Sequence, residues 1–252
     1  MNRGAWDKFV KVRERFRVTT EELSRSLPKL KKLQQELADT RAEAKNASYA
    51  VETPVVYNSA LDDVTANDEI KLIMVADNPG RREQAAENRR YLVGPSGKIA
   101  KKFFVDNPQL EIDFDKNVII LNKTPIHSPR TVELRELVCM ENANGKLSLA
   151  AALEESQRFM ASLLFEFHTA LDCPVWIIGY SEMHKGGIFE IYTEKLKDLY
   201  ADNEKMYKQL FFYRHFSMNQ FTIDLKQQAK PGESVIKSLE RIGEGYRVRI
   251  LG

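Results

Sequence analysis

The stretch Lys71-Leu-Ile-Met-Val-Ala-Asp-Asn-Pro-Gly80 is the strongest indication of architecture in this chain. It starts as a wholly apolar run and ends in a carboxylate, an amide and a Pro-Gly turn. A short apolar run is typical of a strand buried on both faces of a sheet. In open α/β sheets, ligands bind outside the carboxyl ends of such strands. The stretch therefore predicts a strand over residues 70–76 that delivers Asp77 and Asn78 to a functional site.

Three further apolar runs predict strands of the same kind, at residues 117–121, 174–179 and 210–213. Helices are predicted between and around them, at residues 5–17, 20–45, 94–104, 148–171, 186–200 and 231–242. Short apolar strands that alternate with amphipathic helices indicate a parallel sheet covered on both faces. The predicted fold class is α/β, a three-layer α/β/α sandwich with a central four-stranded parallel sheet.

The composition excludes several classes of protein. The chain has 252 residues, 43% of them hydrophobic, and nowhere do eighteen apolar residues run together, so no transmembrane helix is expected. The two cysteines, Cys139 and Cys173, form no C-x-x-C pair and cannot ligate a zinc or iron–sulfur site unaided. The first residues lack the apolar stretch of a signal peptide. We expect a cytoplasmic protein with reduced thiols, and we take it to be a monomer.

Positive charge is concentrated in the first residues. Residues 1–32 contain ten Lys or Arg and four Asp or Glu, which gives +6, whereas the whole chain carries +2. Such a segment either meets phosphates or is the solvated face of a helix. Leucines at helical spacing predict that it packs on the rest of the protein: Leu23, Leu27, Leu30, Leu33 and Leu37. We therefore divide the chain into a basic helical segment, residues 1–50, and an α/β domain, residues 51–252.

Polar side chains follow the predicted strands at their carboxyl ends. The segments are Asp77-Asn78-Pro79-Gly80 after the first strand, Asn122-Lys123-Thr124-Pro125 after the second and His215-Phe216-Ser217-Met218-Asn219 after the last. Because the carboxyl ends of parallel strands lie at one edge of a sheet, we expect Asn78, Asn122 and His215 to share one cavity.

Together with the segment that opens a helix at residue 94, these segments resemble the motifs of the uracil-DNA glycosylase superfamily, over about residues 53–243. Ala76-Asp77-Asn78-Pro79-Gly80 is similar to the first motif, which reads Gly-x-Asn-Pro-Gly in some branches. The other matches are Leu92-Val93-Gly94-Pro95-Ser96-Gly97 with Phe-Val-Gly-x-x-Gly, Ile120-Leu121-Asn122 with Leu-Leu-Asn, and His215-Phe216-Ser217 with His-Pro-Ser. A lone Asn-Pro-Gly is common in turns, whereas four motifs in the family's order are much rarer.

The resemblance implies chemical roles. Asp77 and Asn78 would position the water that attacks the sugar, and His215 would donate to the pyrimidine O2 as negative charge develops there. The amide of Asn122, which both donates and accepts, would read the edge of the flipped base. The family's stacking aromatic aligns with Leu92, beside Tyr91, so these two would bind the base. The reaction needs no metal and no organic cofactor.

The resemblance also implies contacts with DNA. Hydroxyls and backbone N–H groups at helix starts would hold phosphates, at Gly94, Ser96, Gly97 and Ser217. The gap left by the flipped base would be filled by Met218, Asn219 or Phe221. Another candidate DNA contact is His127.

The sequence thus favours a DNA glycosylase that hydrolyses the N-glycosidic bond of uracil, or of a related deaminated base, in DNA. One alternative is a glycosylase-fold protein that binds nucleic acid without performing the chemistry. Another is a nucleotide-handling α/β protein with a phosphate site at residues 94–97, although no Walker or dinucleotide fingerprint is present.

Overall fold

Four parallel strands form the sheet in the part of the chain that the structure, a computed structural model, describes: residues 1–45, 49–142 and 148–252. They are β1 (Leu72–Ala76), β2 (Val118–Asn122), β3 (Val175–Ile178) and β4 (Leu210–Tyr213), in the spatial order β2-β1-β3-β4. Every neighbouring pair is parallel. Helices cover both faces, so the predicted α/β class, a three-layer sandwich around a four-stranded parallel sheet, is confirmed.

Helices connect and flank these strands in the described ranges. They are α1 (Arg3–Ser26), α2 (Leu30–Lys45), α3 (Pro95–Asp106), α4 (Phe114–Asn117), α5 (Glu133–Asn142), α6 (Ser148–Leu171), α7 (Glu190–Tyr200), α8 (Glu204–Lys208), α9 (Gln220–Gln228) and α10 (Val235–Leu251). Each predicted helix overlaps one of them, and α6 has the predicted bounds. By contrast, α4, α5, α8 and α9 lie outside the predicted helices.

The strands direct alternate side chains into two apolar layers. In β1, Ile73 and Val75 pack in a cluster with α1, α6 and α7, whereas Leu72, Met74 and Ala76 pack in a second cluster with α3, α9 and α10. A strand covered on both faces needs apolar residues at every position, because neither face meets water. This requirement explains why wholly apolar runs mark the strands in the sequence.

Two helices run further than the sequence predicts. α1 continues through residues 18–19, because no Gly or Pro lies there to end it. The break comes instead at Pro28, between α1 and α2. α10 passes through Gly243 and reaches Leu251. A Cβ at residue 243 would lie 2.7 Å from the Cβ of Phe211, so this glycine permits close packing on β4 rather than ending the helix.

The basic first helix lies against the body of the protein. α1 shares the apolar cluster of α6. Two of its cations pair with acids outside the helix, Arg15 with Glu166 at 2.7 Å and Arg17 with Asp62 at 2.5 Å. Because these cations already face carboxylates, their pairing favours the solvated-face interpretation of this segment over a phosphate site. None of the described helices is both long enough and apolar enough to cross a membrane.

Candidate functional site

The sheet has a switch point between β1 and β3. The connection from β1 to β2 runs through α3 on one face, whereas the connection from β3 to β4 runs through α7 on the other. Ligands of open α/β sheets bind in the crevice where neighbouring connections part in this way. Asp77 follows β1 and Gly179 follows β3, so both residues stand at this crevice.

Gly179 makes room for the carboxylate of Asp77. Its φ of +80° is left-handed, a conformation that glycine adopts without steric cost. A Cβ at residue 179 would lie 2.5 Å from Asp77 Oδ1, which is too close for real atoms. A larger residue at this position would therefore displace the carboxylate or strain the backbone.

The ammonium group of Lys123 joins the ends of three strands. Its Nζ donates to Asp77 Oδ1 at 2.5 Å, to Ile178 O at 2.8 Å and to Gly179 O at 3.2 Å. Lys123 is fully buried, whereas the side chain of Asp77 is 19% exposed. Burial lowers the pKa of Lys123, and the Asp77 carboxylate opposes that shift. The three N–H donors match three acceptors, so the ammonium fixes one carboxylate oxygen in place.

The amide of Asn78 is bonded at both ends to the loop after β2. Its Nδ2 donates to Ser128 O at 2.8 Å and to Ser128 Oγ at 3.0 Å. Its Oδ1 accepts from the hydroxyl of Thr131 at 3.1 Å, and the same hydroxyl lies 3.3 Å from Asp77 Oδ2. Asn78 thus holds the loop after β2 beside the carboxylate of Asp77. Its N–H groups are used, and only its Oδ1 can accept one more hydrogen bond.

The amide of Asn122 is buried at the end of β2. Asn122 ends β2 opposite Ala76 and is 1% exposed. Neither its Oδ1 nor its Nδ2 has a hydrogen-bond partner among the residues that the structure describes. An unsatisfied buried amide costs about 1–3 kcal/mol, so native folds retain few of them. Asn122 therefore offers one donor group and one acceptor, and neither forms a hydrogen bond within the described protein.

His215 follows β4 and is influenced by two groups of opposite charge, the Asp77 carboxylate and the Lys123 ammonium. The backbone N–H of Ser217 donates to Nδ1 at 3.0 Å, which leaves the proton of the neutral ring on Nε2. Burial lowers the pKa of His215; the Asp77 carboxylate raises it and the Lys123 ammonium lowers it further. The imidazole is therefore neutral at neutral pH and presents an Nε2–H donor.

A cavity of about 870 Å³ opens beside the carboxyl ends of β3 and β4. His215 and Gly179 line it, whereas Asn78 and Asn122 do not. The cavity thus does not meet the expectation that Asn78, Asn122 and His215 share one space. Asp77 adjoins the cavity through Gly179, the residue against which its carboxylate packs.

The first turn of α3 carries backbone donors that the helix itself does not satisfy. Gly94 is the N-cap and contributes no side-chain cap, and Pro95 follows it. The first-turn N–H groups, those of Ser96 and Gly97 among them, have no acceptor within the helix, and a helix N-terminus attracts anions. A Cβ at residue 97 would lie 1.3 Å from Leu92 O, so only glycine allows this approach.

The two residues predicted to bind the base are both buried. Tyr91 packs in the cluster of α1 and α6, and its hydroxyl donates to Val56 O at 2.6 Å. Leu92 packs in the opposite cluster with a left-handed φ of +53°. The ring of Tyr91 therefore belongs to the core, and the two neighbouring side chains enter opposite apolar clusters.

The loop after β4 presents one apolar side chain to solvent. Met218 and Asn219 both have left-handed φ values, +50° and +58°, and Met218 is 81% exposed. Phe221 is buried instead and stacks on Phe216 with 4.2 Å between ring centroids. Of the apolar candidates for filling a gap in DNA, Met218 is therefore the accessible one.

Two buried titratable groups hold the Asn-Pro-Gly turn. His127 Nδ1 donates to Pro79 O at 2.8 Å, and its Nε2 accepts from the hydroxyl of Tyr49 at 3.1 Å. Burial lowers the pKa of His127 to about 4, so it is a neutral structural group rather than a DNA contact. Glu83 accepts from the N–H of Gly80 at 3.0 Å, and burial raises its pKa to about 7.

An exposed cation follows each strand in the sequence: Arg82, Arg130, Lys185 and Arg214. Two of them already face carboxylates, Arg130 with Glu133 at 2.8 Å and Arg214 with Asp224 at 3.4 Å. Exposed cations can complement a phosphate backbone, and Arg82 and Lys185 are the candidates without such an ion pair among the described residues. Within the described ranges, no group of three or more His, Cys, Asp or Glu is placed to hold a metal ion.

Sequence reasoning assigned no role to Lys123, Thr131 or Gly179. A lysine directly after Asn122 at a strand end was the available signal for Lys123, since a buried lysine needs partners. No local pattern marks Thr131, which lies 54 residues from the carboxylate it contacts. No protein-family model, no curated protein and no solved structure matches this chain.

Proposed function

We propose that this protein hydrolyses the N-glycosidic bond of uracil, or of a related deaminated base, in DNA. The observation that supports this best is the buried amide of Asn122, which ends β2 opposite Ala76 and has no hydrogen-bond partner among the described residues. A pyrimidine edge carries both donors and acceptors, and an amide can complement both. The fold bears the cost of an unsatisfied amide where a flipped base would satisfy it.

The proposed chemistry uses three groups. Asp77 takes the proton of the water that attacks C1′, because one of its oxygens retains acceptor capacity. The Nε2–H of His215 donates to the base oxygen on which negative charge develops. Asn122 holds the edge of the base; because its buried amide lies outside the cavity that His215 lines, this contact requires the base to open a path to the end of β2. The proposal includes no lyase step, no metal and no organic cofactor.

The proposed partner is DNA, bound at the carboxyl edge of the sheet. The first-turn N–H groups of α3 and the exposed cations Arg82 and Lys185 would meet phosphates. The exposed side chain of Met218 would enter the stack as the target nucleotide leaves it. We propose that the protein acts as a monomer in the cytoplasm, where the free thiols Cys139 and Cys173 would stay reduced.

An oligonucleotide assay tests this function. Uracil-containing single- and double-stranded DNA is incubated with the protein, and abasic sites are then cleaved with alkali. We expect breaks with the wild type and a loss of at least about 100-fold in Asp77→Asn and in His215→Ala. Lys116→Met, an exposed lysine before β2, serves as the control and should keep the wild-type rate. Wild-type protein that releases no uracil would contradict the proposal.

A second candidate is a protein that binds DNA at this edge without cleaving the base. The contacts of Asn78 favour this candidate. Its amide is hydrogen-bonded to Ser128 through Nδ2 and to Thr131 through Oδ1, so little of it is available to orient a water. Retention of DNA that falls steeply with salt, without any alkali-labile site, would support this candidate.

A further inference from the structure

Lys123 occupies a position that stability alone would not select. Its ammonium is fully buried between the carboxylate of Asp77, the carbonyls of Ile178 and Gly179, and the ring of Phe189, whose centroid lies 5.1 Å from Nζ. Taking an ammonium out of water is costly, and apolar residues of similar volume often stabilise a fold as well or better. A buried lysine next to a partly exposed carboxylate therefore indicates a use for that carboxylate.

We infer that Lys123 is a positioning residue that acts through Asp77 in the proposed hydrolysis, on which this inference rests. Lys123 fixes Oδ1 of Asp77 through a charge-assisted hydrogen bond of 2.5 Å. Among the described residues, the other oxygen, Oδ2, meets only the hydroxyl of Thr131, at 3.3 Å, and so accepts the proton of the attacking water. The carboxylate is thereby held in one orientation before substrate binds.

The same contacts separate the roles of Asp77 and Asn78. An amide cannot take up a proton from water under these conditions, and both N–H groups of Asn78 are donated to Ser128. Asp77 is therefore the base, and Asn78 supports the loop that brings Thr131 to it.

Lys123 does not itself attack the sugar. All three of its N–H donors are used, and its side chain has no contact with solvent. An amine nucleophile would need a free lone pair and access to C1′. Lys123 acts on the reaction only through the geometry and charge of its neighbour.

A double-mutant cycle tests this inference. Single-turnover rates of uracil release are measured for the wild type, Lys123→Met, Asp77→Asn and the double variant. We expect Lys123→Met to slow release by about 100-fold, within the range of general-base effects, and to leave DNA affinity within about threefold. The double variant should be no slower than Asp77→Asn, because Lys123 has no further effect once its partner is lost.

The split between the rate of uracil release and DNA affinity is a readout that a merely structural residue would not give. Lys123→Gln, which keeps two N–H donors without charge, should show the same split as Lys123→Met: slower release with DNA affinity within about threefold. It replaces the Met variant if thermal unfolding shows that the latter does not fold. Lys116→Met is the matched control and should keep the wild-type rate and affinity.

Three results would overturn the inference while the proposed function stands. They are a wild-type rate in both Lys123 variants, a double variant slower by the product of the single effects, and a covalent DNA adduct on Lys123 trapped by borohydride. Wild-type protein that releases no uracil would overturn the proposed function, and this inference with it.

Discussion

Asn122 shows at the scale of one residue how function can oppose stability. Its amide is 1% exposed, and both of its polar atoms lack partners in the described part of the chain. Leucine has nearly the same shape and would carry no desolvation cost at this position. Retaining an amide here is reasonable only where a ligand completes its hydrogen bonds.

We therefore expect Asn122→Leu to separate stability from activity. The free energy of unfolding should rise by about 1 kcal/mol, because an unsatisfied polar group becomes apolar. Uracil release should fall by at least about 100-fold, because the base loses its edge contacts. Urea unfolding and the strand-break assay measure the two effects. A variant that is less stable and equally active would contradict the role given to Asn122.

The loop after β4 is the element that most clearly departs from ordinary geometry. Two consecutive non-glycine residues, Met218 and Asn219, adopt left-handed φ values there. Each costs of the order of 1 kcal/mol, and the result is a short turn that holds an apolar side chain in solvent between β4 and α9. Strain of this kind is commonly concentrated at functional sites.

Met218→Gly should weaken action on duplex DNA without weakening the fold. Glycine relieves the left-handed strain but increases the entropy of the unfolded chain, so the free energy of unfolding should change by less than about 0.5 kcal/mol. Uracil release from a duplex should fall by about tenfold, because the gap in the stack is no longer filled. Release from single strands should fall less.

The matched control for this prediction is Val105→Ala, which removes another exposed apolar side chain, near the far end of α3. It should leave both substrates unaffected. Equal losses on single- and double-stranded DNA in Met218→Gly would argue against a wedge.

At the scale of the whole molecule, His127 connects three separate segments. It bonds to Tyr49 before the sheet begins and to Pro79 after β1, and it belongs itself to the loop after β2. These bonds require a neutral ring with the proton on Nδ1. Since burial lowers its pKa from 6.5 to about 4, the unfolded chain binds a proton in a pH range where the folded protein does not.

The contribution of His127 to stability should therefore be complete above pH 6.5 and be lost as pH falls towards 4. The loss amounts to about 3 kcal/mol, since one pKa unit corresponds to about 1.4 kcal/mol. Glu83 acts in the opposite direction, because its raised pKa makes the folded state gain stability as pH falls from 7 to 4.5. Comparing the wild type with a variant of His127 cancels the effect of Glu83, because both proteins contain Glu83.

Urea unfolding of the wild type and of His127→Asn between pH 7 and pH 4 measures the difference. The stability advantage of the wild type should shrink by about 3 kcal/mol across that range. His184→Asn, which replaces an exposed histidine, should give no such change. A constant difference between wild type and His127→Asn would show that the buried ring does not titrate as described.

Sequence patterns predicted the four strands to within two residues, because strands covered on both faces must be apolar throughout. They also gave α6 its correct bounds. They did not predict α9, whose first residue follows a left-handed Asn219, or the length of α10, whose Gly243 looks like a stop. In both cases, contacts with distant elements decide the outcome, and periodicity does not record such contacts.

The sequence alone predicted the fold class and the edge of the sheet at which Asp77, Asn122 and His215 lie, because hydrophobic periodicity and polarity can be read from consecutive residues. Packing in three dimensions decided how these side chains are used. It paired Asp77 with Lys123, bonded Asn78 to Ser128 and left Asn122 without a partner among the described residues. Such partners lie tens of residues apart, and their distances depend on how every intervening element packs.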